Sequence, residues 1–383
     1  MSEMFDDSGL DMDNYDNTLI GWENQTVQSN VTLGAIGLKY CAATSARASL
    51  ISNDNWTITG DTRDCPFIIT VKTDNTGTSD DNQFTIPTHS SETYNYDVDW
   101  NNDGVYDNTG VTGDITHNYD PVGTYTIRIR GDFPRIFFNN SGDKDKILSI
   151  DNWGSYAWSS MENAYCGCSN LTSASAVAPN LAGLTNMAGM FSGASLFNAD
   201  VSNWDVSNVT IMVAMFNGTT AFNQNLGGWD IGNVTNMGDM LDNSGLDLNN
   251  YDNTLIGWNN QSVQSGVTLS VGGLSYCIGE NARTALINND GWTIFGDSKA
   301  CPDAFITTWE TRNSGTSNSS SITIPTYSSA YYNYSVDWDN DGNYDEIGIG
   351  GDVTHDFGTP GEYTIRIQGT FPRIHFVSGG DKE

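Results

Sequence analysis

The sequence predicts a mainly β tandem array, in which coils of a solenoid with helical turns and C-terminal caps alternate with β-sandwich domains. Three observations support this prediction: a long-range duplication, a finer 25-residue period, and segments in which apolar and polar residues alternate. The duplication is the most informative, because residues 1–66 return at 237–302 and the segment after each copy returns too. Each copy must therefore be a folded unit.

The duplication covers almost the whole chain in register. Tyr-Asp-Asn-Thr-Leu-Ile-Gly-Trp occurs at Tyr15 and at Tyr251, and Met1 aligns with Met237. The later matches are Cys41 with Cys277, Cys65 with Cys301, Trp100 with Trp338, His117 with His355, and Phe133 with Phe371. Because Gly-Asp-Lys-Glu at 380–383 also resembles 142–145, we expect a fragment of a longer array that holds about one and a half units. A stalk, adhesin or binding array needs such repetition, whereas an enzyme rarely does.

The segment 147–302 predicts the solenoid. Methionines and tryptophans recur there at one fixed spacing: Met190, Met215, Met240, Trp204 and Trp229. The apolar spacing of Val201–Val209 follows the pattern of leucine-rich repeats, whose usual length of about 20 to 29 residues includes this period. We expect a short strand around Trp-Asp-Val and a helical turn around Met-x-x-Met-Phe in each coil. Stacked coils would align Met on Met, Trp on Trp and Asn on Asn.

The end of the solenoid breaks that period. Residues 281–287 have helical spacing, and a strand and turn follow them. A solenoid exposes an apolar end unless something covers it, so we expect 246–302 to be its C-terminal cap. Residues 1–66 would likewise cap a truncated solenoid. The remaining segments, 67–146 and 303–383, alternate apolar and polar residues between Gly, Pro and Asp, which predicts the short antiparallel strands of a β-sandwich.

Several motifs resemble known families. Trp-Asp-Val-Ser-Asn-Val-Thr, followed by Met-x-x-Met-Phe and with Phe-Asn between coils, resembles the BspA-like leucine-rich-repeat surface proteins of bacteria. Val-Asp-Trp, Thr-His-Asp-Phe and Thr-Pro-Gly-Glu-Tyr-Thr-Ile-Arg-Ile resemble the polycystic kidney disease (PKD) type of immunoglobulin-like domain, with Trp-Asp-Asn-Asp-Gly replacing the usual Trp-Gly-Asp-Gly. Together these likenesses cover nearly the whole chain. They imply a protein that is secreted or anchored at the bacterial cell surface and acts in adhesion.

Composition excludes some functions. The chain carries 15 Lys plus Arg against 47 Asp plus Glu, a net charge of −32, which argues against binding of nucleic acid or anionic lipid. Its 11 Trp, 17 Tyr and 15 Phe supply too much buryable surface for a disordered chain. No apolar run is long enough to insert into a membrane, and no signal peptide begins the sequence. We expect targeting signals outside this fragment.

The cysteines indicate an oxidising compartment. The separation of Cys41 and Cys65 along the chain is the same as that of Cys277 and Cys301, which suggests one disulfide per copy. The alternative is a set of buried free thiols that the duplication repeated. Cys166 and Cys168 are too close in sequence for an unstrained bridge, so we expect them to face a core.

An Asp-rich turn is the sharpest candidate site. Its residues fall at positions 1, 3, 5 and 9 of a calcium-type loop, with Gly342 at position 6 for the sharp bend. Position 12 is Gly348, so an aspartate fifteen residues after the first ligand would complete the shell. The candidate Ca²⁺ ligands are Asp337, Asp339, Asp341, Asp345 and Asp352 and, in the first copy, Asp99, Asn101, Asp103, Asp107 and Asp114. We expect weak affinity, roughly 0.1 to 1 mM. The alternative is an Asx-rich hairpin turn without metal.

Other residues have structural explanations. His117 and His355 fit a strand position near a sandwich edge better than a ligand or catalytic role. Trp204 and Trp229 could stack on sugars but stand at apolar repeat positions, which predicts the core. Glycosylation sequons are common, and those that recur with the coil predict an asparagine ladder.

These observations predict a non-catalytic extracellular region of a large bacterial adhesin that gains avidity from many weak sites. Its partners would be neighbouring repeats, other copies of the chain, and a glycan or protein on a surface. A second hypothesis is a stalk or filament whose repeats self-associate. A distant third is a carbohydrate-active enzyme, since Asp-rich turns could supply paired carboxylates. The sequence contains no Ser or Cys nucleophile motif, zinc spacing or phosphate-binding glycine loop.

Overall fold

The computed structural model describes residues 1–301, 304–313, 315–342 and 344–376. The Gly-Asp-Lys-Glu match at 380–383 lies outside the described residues. The described chain is mainly β, as predicted, and its four α-helices are α1 (Met12–Glu23), α2 (Thr44–Ser52), α3 (Leu248–Asn259) and α4 (Glu280–Asn288). Helix α4 confirms the helix predicted over 281–287. The Asp11 and Asp247 side chains cap α1 and α3 by accepting bonds from Asn14 and Asn250 N–H.

Short strands make up the rest of the regular structure. The earlier ones are β1 (Thr32–Gly34), β2 (Lys39–Tyr40), β3 (Thr57–Thr59), β4 (Thr62–Arg63), β5 (Phe67–Lys72), β6 (Gln83–Ile86), β7 (Asn95–Asp99), β8 (Asn108–Val111), β9 (Ile115–Asn118), β10 (Thr124–Asp132), β11 (Ile147–Trp153) and β12 (Ser173–Ala174). The later strands are β13 (Thr268–Ser270), β14 (Ser275–Tyr276), β15 (Thr293–Phe295), β16 (Ser298–Lys299), β17 (Phe305–Glu310), β18 (Ser321–Ile324), β19 (Asn333–Asp337), β20 (Glu346–Ile349), β21 (Val353–Asp356) and β22 (Glu362–Thr370). A 3-10 helix, Lys144–Lys146, precedes β11.

The two alternating segments fold alike, each with a larger sheet and a two-stranded sheet. The first copy has the orders β12-β11-β5-β10-β7-β8 and β6-β9, and the second has β17-β22-β19-β20 and β18-β21. Strand β11 lies antiparallel on β5, with Ile147 opposite Val71 and Trp153 opposite Phe67. Strand β11, which begins at residue 147, therefore continues the sheet of the preceding segment.

The 25-residue segments lie side by side and are joined by backbone hydrogen bonds. Alternate N–H groups of one segment donate to carbonyls of the next: Met187 to Ile211, Gly189 to Val213, Phe191 to Met215 and Gly193 to Asn217, then Met212 to Asn236, Ala214 to Gly238, Phe216 to Met240 and Gly218 to Asp242. The intervening N–H groups close turns within a segment, as Met190 does to Met187. The backbone N–H groups of each coil are therefore divided between bonds to the next coil and bonds that close turns within the coil.

Two local predictions about the coil are wrong. The parallel bridges fall at Asn186, Ile211 and Asn236, ahead of the methionines, and not at Trp-Asp-Val. At Trp-Asp-Val the chain instead forms turns, in which Trp204 N–H donates to Val201 and Val209 N–H to Val206. The Met-x-x-Met-Phe segment is likewise not helical, because half of its N–H groups bond to the next coil.

Aromatic rings fill the interior of this stack. Phe191 lies 5.8 Å from Phe216 and Phe197 lies 6.3 Å from Phe222, with the rings nearly parallel in both pairs. One continuous apolar core includes buried residues from Phe67 to Ile294. The N-terminal segment and the second β segment have separate cores among the described residues.

Both predicted disulfides are present, Cys41–Cys65 and Cys277–Cys301. Each joins the residue that follows β2 or β14 to the chain after β4 or β16. Cys166 and Cys168 are free thiols, half-buried and buried respectively.

Candidate functional site

The Asp-rich turn follows β19 and its twin follows β7. Asp337 is the last residue of β19, and the chain then reverses through Asn340 and Gly342, whose φ angles are +56° and +97°. Asparagine and glycine adopt such left-handed backbone at lower cost than other residues. The same two residue types stand at Asn102 and Gly104 in the first copy. The same two residue types therefore occur in both copies because the left-handed backbone of the turn favours them.

In the second copy the turn brings three carboxylates together. One oxygen from each of Asp337, Asp339 and Asp345 lies within 4.8 Å of the others. Asp337 is buried, while Asp339 and Asp345 are exposed. Three oxygens at this spacing can face one cation.

Protein groups already hold much of this cluster. Asp337 accepts hydrogen bonds from Asp341 N–H (3.1 Å) and Gly342 N–H (2.8 Å), and Asp345 accepts one from Trp338 N–H (2.7 Å). The Arg366 guanidinium lies 3.8 Å from Asp337 Oδ2. Burial raises the pKa of Asp337, and the two N–H bonds oppose that effect. The turn is thus stabilised without a metal ion.

The first copy has one fewer carboxylate because Asn101 replaces Asp339. Asp99 accepts bonds from Asn101, Asp103 and Gly104 N–H at 3.3, 3.2 and 2.8 Å. Asp107 accepts from Trp100 N–H at 3.0 Å, as Asp345 does from Trp338. A cation would therefore find less negative charge in this copy.

The aspartates proposed to complete each shell are engaged elsewhere. Asp352 accepts bonds from both the N–H and the hydroxyl of Thr326, and Asp114 makes the same two bonds with Thr88. Ca²⁺ takes six to eight oxygen ligands. Of the five residues predicted in the second copy, the carboxylate cluster contains three, so these residues would supply only part of a shell and water would supply the rest.

The other candidates have structural positions, as predicted. His117 stacks on Trp100 and His355 on Trp338, with ring centroids 4.8 Å apart in both copies. Trp204 and Trp229 are buried. The asparagine ladder predicted at Asn208 and Asn233 takes another form, because each side chain donates to a backbone carbonyl of the preceding coil, Asn208 to Ala182 and Asn233 to Ser207.

A cleft adjoins each Asp-rich turn, where the disulfide-bonded segment meets the β segment. In the first copy its volume is about 610 Å³, and its lining includes Lys39, Asp103, Val105, Tyr106, Arg128 and Arg130. The twin cleft is about 430 Å³ and includes Glu280, Lys299, Gly342, Tyr344 and Arg366. The Arg130 guanidinium lies 3.8 Å from the Tyr106 ring centroid, and burial raises the pKa of Tyr106 to about 12. Both clefts thus combine cationic, acidic and aromatic side chains.

Sequence reasoning missed a buried carboxylate that connects the two helices of each disulfide-bonded segment. Asp252 on α3 accepts hydrogen bonds from Cys277, Ile278 and Gly279 N–H, immediately before α4. Asp16 on α1 does the same for residues 41–43. The sequence could have indicated this carboxylate, because an aspartate follows the repeated tyrosine in both helical segments.

It also missed the ladder formed by the Phe-Asn motif. Asn198 accepts a bond from Asn223 N–H at 2.8 Å, and Asn223 accepts one from Asp247 N–H at 2.9 Å. These residues recur close to the coil period, at 198, 223 and 247. The period could therefore have identified them.

Comparison with known proteins finds one similarity. Residues 137–269 match the model of a family described as Mycoplasma protein of unknown function, DUF285. This match covers about a third of the chain and lies in the stacked coils. No curated protein and no solved structure matches. No helix among the described residues is both long and apolar enough to span a membrane.

Proposed function

We propose that this chain is a non-catalytic, extracellular repeat region of a bacterial surface protein that attaches to glycans or proteins. In this proposal residues 147–302 are a BspA-like leucine-rich solenoid with a C-terminal cap at 246–302, and each β segment is a PKD-type sandwich. The ladder of 25-residue coils and the match to the Mycoplasma family support the solenoid. The two sheets of each β segment and the stacked Trp–His pairs support the sandwich. The disulfides support an oxidising location.

One observation carries the proposal: duplicated polar residues make the same structural bond in both copies. Arg47 pairs with Asp61 and Arg283 with Asp297, each at 2.7 Å. Tyr251 donates to that same Asp297, as Tyr15 does to Asp61. These arginine, aspartate and tyrosine side chains therefore stabilise the fold in both copies. Polar residues with a structural role in each copy favour a binding array over an enzyme.

The ligand would contact the clefts beside the Asp-rich turns. Their volumes lie in the range typical of small-molecule and sugar-sized sites. Tyr106, one face of which is covered by the Arg130 guanidinium, and Tyr344 present aromatic surface for a sugar ring in these clefts. Because two clefts occur on one chain, a ligand-dense surface would be bound with avidity.

The test is binding of the full chain to panels of oligosaccharides and extracellular proteins on a sensor surface. We expect saturable binding to at least one ligand, and Tyr106→Ala combined with Tyr344→Ala should weaken it at least tenfold. Tyr331→Ala is the matched control, because that ring is exposed and lies outside both cleft linings. A variant with only one of these two tyrosines replaced should lose the most binding on sensor surfaces that carry the ligand at high density. Absence of any ligand, or equal binding by the double variant, would contradict the adhesive role.

Calcium is part of the same proposal. We propose that Asp337, Asp339 and Asp345 hold a weakly bound Ca²⁺, which would neutralise like charges brought together by the turn. The first copy, with Asn101, should bind it less well.

The alternative proposal is a structural stalk or filament. The observation that favours it is a sheet edge in the second copy, β17, which carries no strand on its outer side among the described residues. Sedimentation velocity over a range of chain concentrations separates the two functions. Concentration-dependent assembly without ligand binding would favour the stalk.

A further inference from the structure

Strands β5 and β17 are equivalent but have different surroundings. The register that aligns Trp100 with Trp338 also aligns Phe67 with Phe305. In the first copy β11 covers the outer edge of β5. In the second copy β17 is the edge of its sheet over the described residues. Unpaired edges of this kind bind added strands.

Apolar residues of β17 are exposed where their twins are covered. Phe67 is 0% exposed and lies 5.2 Å from the Trp158 ring, whereas Phe305 is 47% exposed. Trp309 is buried, but its indole N–H has no hydrogen-bond partner among the described residues. The second copy therefore presents an apolar edge with an unused donor.

A groove of about 340 Å³ runs beside this edge. Its apolar part contains Phe305, Trp309, Ile322, Ile374 and Phe376. The corresponding region of the first copy packs against β11 and the residues that follow it, as the Phe67–Trp158 contact shows. In the first copy, β11 and the residues after it therefore occupy the region that corresponds to this groove.

The polar end of the groove matches a lysine. In the first copy the buried Lys146 ammonium donates to the carbonyls of Ser79, Asp80 and Gln83 at 3.3, 2.8 and 2.9 Å. The equivalent residues, Ser317, Asn318 and Ser321, all line the groove. The acceptors are main-chain carbonyls, which the changes of side chain between the copies retain. The Ser321 carbonyl accepts a hydrogen bond from the Ser317 hydroxyl at 2.9 Å, so a docked lysine would join or replace that hydroxyl.

We propose that the outer edge of β17 and this groove are the docking site for an extended strand of the β11 type, supplied by a further copy of the repeating unit. The docked strand would run antiparallel to β17, with its lysine at the carbonyl end and its tryptophan beside Phe305. Its isoleucines would face Trp309 and Thr307, which stand where Val71 and Ile69 contact Ile147 and Ile150. Main-chain bonds give such strand addition its affinity, and alternate side chains give it its specificity. This docking does not depend on the adhesive role.

The test is calorimetric titration of the full chain with a peptide of residues 144–158, which includes Lys146, β11 and Trp158. We expect saturable binding of one peptide per chain and slower amide hydrogen exchange in residues 305–310. A peptide with Lys146→Met should bind at least tenfold more weakly. A peptide with Ile147, Ile150 and Trp153 changed to Ser should not bind.

Variants of the chain locate the site. Phe305→Glu should weaken binding at least tenfold, whereas Tyr331→Ala, at an aromatic ring outside the groove lining, should leave it unchanged. The exchange measurement on the wild-type chain provides the same location if Phe305→Glu fails to fold. Absence of binding would overturn the proposal. So would binding that survives Phe305→Glu, since the peptide would then occupy another site, such as the place of β11 in the first copy.

Discussion

Phe216→Ala tests whether neighbouring coils support one another. The Phe216 side chain is 0% exposed and lies between coils, 5.8 Å from Phe191 and 6.3 Å from Trp229, with Phe222 of its own coil at 3.9 Å. The substitution leaves the backbone ladder intact, because Phe216 N–H donates to the carbonyl of Met240. It therefore removes side-chain packing alone.

The expected cost follows from complete burial. Truncation of a fully buried phenylalanine lowers the free energy of unfolding by about 3 to 5 kcal/mol, which combines lost burial with the cavity left behind. Packing on both sides by other coils places Phe216 at the upper part of that range, since the ladder limits collapse into the cavity. Phe295→Ala is the control, because that ring is 50% exposed, and it should cost about 1 kcal/mol or less.

Urea unfolding and amide hydrogen exchange together measure this effect. The loss should appear in the transition of the core that includes Phe67 to Ile294, and exchange should accelerate across neighbouring coils. The separate core of the N-terminal segment should be unaffected. A cost below about 1.5 kcal/mol, or faster exchange confined to residues near 216, would refute mutual support between coils.

Three further predictions concern charge, metal and covalent structure. Burial raises the Asp252 pKa to about 6, so the contribution of this residue to the free energy of unfolding should fall as pH rises from about 4 to 6, by up to about 1.4 kcal/mol per pH unit. In urea unfolding, Asp252→Asn should remove this pH dependence, whereas Asp81→Asn, at an exposed aspartate, should keep it. Equal pH dependence in the two variants would contradict the assignment to Asp252. With about 10 mM Ca²⁺ and a Kd near 1 mM, mass action should stabilise the second β segment by about 1.4 kcal/mol. Asp339→Asn should reduce that gain in thermal unfolding, and an unchanged melting point in chelator would exclude the site. Replacing Cys277 and Cys301 by Ala should cost about 2 to 4 kcal/mol by calorimetry, since the two are separated by 24 positions along the chain, and no change would show that the loop is held by other contacts.

The array was largely predictable from the sequence, while the pairing inside a coil was not. The 25-residue period identified the stacked segments, because equal spacing of apolar residues requires equivalent positions in each coil. Both Trp-Asp-Val and Met-x-x-Met-Phe have suitable apolar residues for a strand or a turn. Which one pairs depends on where the backbone donors go, and at Met187 to Gly193 they alternate between turn and neighbour.

The candidate site was predicted in part. The Asp-x-Asp-x-Asp-Gly spacing located the turn, because a tight reversal of the chain must place alternate side chains on one side of it. Spacing did not reveal that Asp352 and Asp114 accept hydrogen bonds from Thr326 and Thr88. Each threonine is separated from its aspartate by 26 positions along the chain and lies outside the motif. Nor did it reveal Arg366 beside Asp337.

The sequence by itself determined the duplication, the coil period, the cysteine pairs and the mainly β character, because each depends on residue types and spacings that recur along the chain. Only the tertiary structure decided that β11 belongs to the sheet of β5, that phenylalanine rings stack between coils, and that β17 presents a groove. These features depend on which surfaces meet, and an apolar strand such as β11 can be covered equally well by a coil or by a sheet edge until the whole chain has folded.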